Sequence, residues 1–165
     1  MVKQVYAISC INVGVGPGGT TSMLARIVIV DFQGQTILDT YVQPTMKVTD
    51  YRTAQTGIES QHLYSRSAAS FDAIQKYVAN TIEGHILVGH NLWHDLSVLG
   101  ISHPAVDTRD VNVTLYQSFR NANHVIGLQT LSWQLMWKRR QEGEQNPLEN
   151  ARAALDLYIS FGFSA

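Results

Sequence analysis

Leu24-Ala25-Arg26-Ile27-Val28-Ile29-Val30-Asp31-Phe32 runs into Gln33-Gly34-Gln35 and then into Thr36-Ile37-Leu38-Asp39-Thr40-Tyr41-Val42. Both flanks are rich in β-branched and aromatic residues, and Gly34 supplies the backbone freedom of a tight turn, so the stretch reads as a hairpin. Upstream, Gln4–Cys10 is a third strand of the same character. The glycine-rich run from Val13 to Gly19, broken by Pro17, reads as loop. Downstream the pattern changes. Ser70 suits a helix cap, with Phe71, Ile74, Tyr77, Val78 and Ile82 at helical spacing behind it and Gly84 closing the helix. His85–Gly89 reads as a short buried strand, and the next helix carries the stripe Leu92, Leu96 and Leu99. Ala105–Thr108 fits a fifth strand, and helices are expected at Val111–Arg120 and Leu128–Trp137. Asn146-Pro147-Leu148-Glu149 opens the last helix with a cap and a proline in its first turn. Strands first, then alternating helix and strand, then helices: the chain reads as α/β with a mixed central sheet.

The 165 residues fit a single domain, residues 1–165, large enough to bury a core. Twelve Lys+Arg balance 13 Asp+Glu for a formal charge of −1. That near-neutrality excludes a protein gripping nucleic acid by bulk charge alone, so RNA would need a local patch. The 45% hydrophobic content excludes a disordered chain. No apolar run approaches the ~20 residues of a membrane span, and no signal peptide is visible, so no membrane contact is expected. The lone Cys10 forms no internal disulfide or structural zinc site and suits a reducing compartment, so an intracellular place, nuclear or cytoplasmic, is expected.

Three segments carry a family signature: Val48-Thr49-Asp50-Tyr51-Arg52-Thr53 with Thr56-Gly57-Ile58, Val88-Gly89-His90-Asn91-Leu92-Trp93-His94-Asp95, and Glu149-Asn150-Ala151-Arg152-Ala153. Together they resemble the DEDDh 3′–5′ exonucleases, in the branch of RNA exonuclease 4 and the interferon-stimulated exonuclease. The similarity runs from about Gln4 to Tyr158. It implies an RNase H-like fold with a five-stranded mixed sheet and helices on both faces. It also implies phosphodiester cleavage by two divalent metals on four carboxylates, with a histidine deprotonating the attacking water.

Carried over position by position, the resemblance places the first two carboxylates at Ser9 and Ile11, the third at Asp95, the fourth at Asn150 and the histidine at Gln145. Alternation along a strand sets Ser9 and Ile11 on one sheet face. One acidic ligand of four remains. Isoleucine does not ligate a metal, Ser and Asn are neutral, and Gln has no titratable proton near neutral pH. On a helical wheel Asn150 falls beside Ala154, Leu157 and Phe161 and faces inward. The expectation is therefore a catalytically inactive exonuclease-like domain, a pseudoenzyme with no metal and no cofactor, serving as protein scaffold or RNA-binding module. The alternative is an active, divergent, metal-dependent 3′–5′ RNA exonuclease built on Asp95 with unorthodox ligands such as His90 or Asp107.

Other residues carry a bland reading beside a functional one. His90 and His94 have i, i+4 spacing, open to zinc but more simply structural. Arg52 contacts substrate or braces its loop. Lys138, Arg139 and Arg140 are candidates for nucleic-acid contact, though Glu142 and Glu144 nearby suit a solvated helix end. Trp133 and Trp137 lie opposite the Leu128, Leu131, Leu135 stripe and, with Trp93, are candidates for a protein interface with a partner protein or a second copy in a homodimer.

Overall fold

The computed structural model describes residues 2–111 and 144–160. The expected helices at Val111–Arg120 and Leu128–Trp137, and with them Trp133, Trp137, Lys138, Arg139 and Arg140, lie outside the described residues apart from Val111 itself. Strands β1 (Val5–Val15), β2 (Thr21–Val30) and β3 (Thr36–Tyr41) form an antiparallel meander. The β2–β3 turn holds Gly34 at φ 78°, and the Asp31 carboxylate accepts the backbone N–H groups of Gln33 and Gln35 at 3.0 and 2.9 Å. The hairpin expectation holds.

β4 (Val48–Asp50) adds antiparallel to the far end of β1. Two single-turn helices follow, α1 (Thr53–Thr56) and α2 (Ser60–Leu63), then α3 (Phe71–Ile82). The Ser70 hydroxyl accepts the Ala73 N–H at 3.2 Å, which is the expected cap. β5 (Ile86–Gly89) pairs parallel with β1, helix α4 (Leu92–Leu99) follows, and β6 (Thr108–Asp110) pairs parallel with β5. The last helix is α5 (Pro147–Ser160), where the Asn146 carboxamide oxygen accepts the Glu149 N–H at 3.2 Å. The sheet order is β3-β2-β1-β5-β6, with β4 off this path, so among the described residues the mixed sheet has six strands, five on its main path.

Two local readings are corrected. Val13-Gly14-Val15 belongs to β1, and the turn is confined to the residues around Pro17–Gly19. Glycine serves here for close approach: a Cβ on Gly14 would collide with the Gly19 backbone. Ala105–Asp107 is a short 3₁₀ turn and the last described strand starts at Thr108. Three residues were too few for period-2 alternation to separate the two forms.

Alternation along the strands divides the core. Ala7, Val28, Val30 and Val88 face α5, which buries Ala151, Ala154, Leu155 and Leu157 against them. Ile8, Ile27, Ile29 and Leu87 face α3 and α4, meeting Ile74, Val78, Leu92, Leu96 and Leu99. A third cluster, Ile11, Val13, Ala25, Val48, Ile58 and Leu63, packs the far end of β1 against the segment carrying α1 and α2. The sheet is covered on both faces, and the two layers and the third cluster meet where β1 passes from one to the next.

Candidate active site

That meeting point is a polar pocket of about 240 Å³. Its lining includes Ser9, Ile11, Asp95, Gln145 and Asn150, all five positions assigned by the carry-over above. β1 supplies Ser9, Ile11 and Asn12. The turn into α4 supplies His90 and Asn91, and its first turn His94 and Asp95. The lead-in and first turn of α5 supply Gln145 and Asn150, and the α1 segment supplies Arg52, Gln55 and Thr56.

Each wall has a local cause. The α1 segment is laced by its own threonines: the Thr53 hydroxyl donates to the Ile58 carbonyl at 2.8 Å and the Thr56 hydroxyl to the Tyr51 carbonyl at 2.9 Å. Arg52 sits in a left-handed conformation, φ 51°, with its N–H on the Asp50 carboxylate at 2.8 Å. Its guanidinium donates to the Gly19 carbonyl at 3.0 Å and the Ser22 hydroxyl at 3.1 Å. Arg52 braces the loop. The Gln145 N–H donates to the Gln55 carbonyl at 2.7 Å, clasping the start of α5 to α1. Gly57 leaves room for that clasp, because a Cβ there would collide with the Glu144 side chain.

On the α4 side, Asn91 is left-handed at φ 56° and the helix starts on it. The two carboxylate oxygens of Asp110, on β6, each accept a backbone N–H, from Asn91 and from Leu92, both at 3.1 Å. A carboxylate there satisfies two otherwise orphaned amides and complements the helix dipole. Asp95 is then held 7% exposed in the first turn. Burial, and after it the charge of Asp110, push the Asp95 carboxyl well above the usual carboxylate range. Burial also lowers the His90 imidazole against the opposing pull of Asp110, and it raises the Cys10 thiol, which is a poor nucleophile as a result.

Ile11 is 3% exposed and belongs as much to the core as to the pocket. A bulge separates Ile11 from Asn12 in the β1–β2 register, turning Asn12 to the pocket as well. The Asn12 amide N–H donates to His94 Nε2 at 3.2 Å, whereas its buried Oδ1 has no partner. Trp93 is 59% exposed and outside the pocket lining. Asp107 also lies outside it, paired with Lys3, so the alternative's use of Asp107 is corrected. Sequence reasoning missed Asn12 and Asp110. A polar residue on an otherwise apolar strand was the available signal for Asn12; the partner of Asp110 is a backbone edge that no side-chain pattern reveals.

Curated relatives extend over nearly the whole chain. Proteins named RNA exonuclease 4 match at 44% identity in Neurospora crassa, over 92% of this chain and 37% of that protein. The Saccharomyces cerevisiae protein matches at 40%, over 95% and 54%, and the human protein at 39%, over 96% and 37%. The chain belongs to the DEDDh exonuclease family. It spans about half or less of these relatives' length. No family model matches. Among solved structures, the Neurospora crassa Pan2 catalytic unit superposes with TM-score 0.77 at 23% identity, over 96% of this chain and 27% of that one. A Saccharomyces cerevisiae Pan2 module in complex with AAGGAA RNA gives 0.76 at 23%, over 96% and 28%. These likenesses establish the expected RNase H-like fold.

The relatives correct the expectation of an inactive, non-enzymatic domain, since proteins at about 40% identity over most of the chain are named exonucleases. The expectation of no cofactor falls with it, because members of this family are divalent-metal dependent. The donors themselves do not repeat the family's set of four carboxylates. Asp95 is the one carboxylate among the described lining residues, and no group of three His, Cys, Asp or Glu suited to a metal occurs among the described residues. A two-ion site on four carboxylates does not fit the described lining of this pocket.

Proposed function

We propose that the domain is a divergent RNA exonuclease that holds the 3′ end of a strand in this pocket and shortens it. The observation that carries the reading is the convergence of Ser9, Ile11, Asp95, Gln145 and Asn150 on one cavity, from three separate parts of the chain. Asp95 is the group suited to move a proton. A carboxyl with a raised pKa both gives and takes protons nearer neutral pH than an ordinary one. Ser9, Gln145 and Asn150 orient the strand by hydrogen bonds, and Arg52 keeps the loop beside them in place. Exposed Trp93 is the described residue best suited to anchor a partner protein. An RNA substrate is consistent with work inside the cell.

The test is a 5′-labelled single-stranded RNA incubated with the protein and with an identically purified Asp95→Ala variant, each in Mg²⁺, Mn²⁺ and EDTA. A ladder of 3′-shortened products that disappears in the variant is expected. RNA that stays at full length in every condition, or equal ladders from both proteins, overturns the reading.

A further inference from the structure

The pocket's polar lining is dominated by carboxamides: Asn12, Gln55, Asn91, Gln145 and Asn150. Phosphate oxygens accept from neutral donors too, but a strong grip on phosphate comes from cations. Arg52 is the permanent cation among the described lining residues, and its guanidinium already serves Gly19 and Ser22. Burial disfavours the charged form of His90. The wall is thus poor in positive charge and rich in groups that carry a donor and an acceptor side by side. A carboxamide matches the edge of a base, where an N–H lies next to a ring nitrogen or carbonyl.

A second observation points the same way. Asn12 Oδ1 is a buried acceptor with no hydrogen-bond partner, while the other arm of the same amide is held by His94. An unsatisfied buried acceptor is costly to keep, so this one calls for a partner. With Nδ2 on His94 the amide is held in place, and Oδ1 is left to accept from a donor that reaches it.

We propose that the pocket selects the 3′-terminal nucleotide by its base, through the carboxamides of Asn12, Gln145 and Asn150. Adenine presents an N–H beside a ring nitrogen on two edges, so a terminal adenosine leads the ranking. The proposal rests on the reading of this pocket as the holder of an RNA end.

The experiment uses four 5′-fluorescent RNA octamers that differ in the last nucleotide alone. One set ends in an unhydrolysable methylphosphonate linkage, for anisotropy, and one in ordinary phosphodiester, for trimming. About tenfold tighter binding of the A-ended octamer than of the weakest is expected, the discrimination of one good bidentate pair. Asn12→Leu and Asn150→Leu should flatten the ranking. If either fails to fold, Asn150→Asp, which keeps the shape and removes the donor, should reorder it. Base-selective binding without trimming keeps this inference and overturns the proposed function. Trimming at equal rates with equal binding of all four ends does the reverse. Absence of both binding and trimming overturns both.

Discussion

Asp95 and Asp107 are each 7% exposed, yet the fold treats them in opposite ways. Asp95 lies deep beside a second carboxylate, Asp110, and its carboxyl is pushed up. Asp107, on the turn before β6, is covered by a thin layer. Its hydrogen bond from Lys3 draws its carboxyl below the usual range against the opposing effect of burial, and the charges of Lys3, His103 and Arg109 add to the pull. One end of the sheet pairs its acid, and the other leaves its acid in conflict. Pairs of equivalent groups driven apart by their surroundings mark sites where protonation has work to do.

The largest effect should come from removing the conflict. Asp95→Asn should lower RNA trimming by about 10²–10⁴-fold, the range of a lost acid–base group. The same change should raise the melting temperature near pH 8. A carboxyl whose folded pKa lies above its unfolded value costs stability as pH rises from the unfolded pKa through the folded one. The gain is therefore full above the folded pKa and vanishes below the unfolded one. Melting curves from pH 3.5 to 8 check the sign, and a variant less stable than the parent at pH 8 would show that Asp95 is satisfied after all.

Next in size is Gly57→Ala. The residue is left-handed at φ 68°, where a Cβ costs roughly 1–2 kcal/mol, and that Cβ would also meet the Glu144 side chain. The clasp between Gln145 and Gln55 should loosen, moving one wall of the pocket. Denaturant melts should show the loss of stability, with a fall in trimming smaller than that of Asp95→Asn. An unchanged rate would mean that the clasp does not set the pocket.

The two ends of the sheet were unequally legible in the sequence. β-branched runs and the Gly34 turn announced β1 to β3, because a strand's signal is carried by its own residues. The stripe Leu92, Leu96 and Leu99 and the Ser70 and Asn146 caps did the same for the helices, and all are where local pattern placed them. β4, α1 and α2 were not foreseen, since three- and four-residue elements hold less than one period of any pattern. The site was legible as positions, through the resemblance, and the pocket gathers them. Its activity was misjudged by reading the residue types alone. Asp110 escaped because its partners are two backbone amides 18 and 19 residues away.

The smallest effect is expected at the paired end, and it separates the two aspartates most cleanly. Lys3→Ala removes the hydrogen bond that does most to hold the Asp107 carboxyl down, and Asp107→Asn removes the charge itself. Both residues lie outside the pocket lining, so trimming should be unchanged in either variant. An acid whose folded pKa is depressed contributes stability above its unfolded pKa, and that contribution is lost as pH falls through the folded value. Both variants should therefore melt slightly below the parent at pH 7 and converge with it in acid, the opposite trend to Asp95→Asn. The double variant should be no worse than either single one, because each change abolishes the same contact. Added salt should shrink the difference, as it does for an ion pair half open to water. A Lys3→Ala protein that matches its parent at pH 7 in low salt would show that the pair adds nothing. The contrast between the ends of the sheet would then rest on the strain at Asp95 alone.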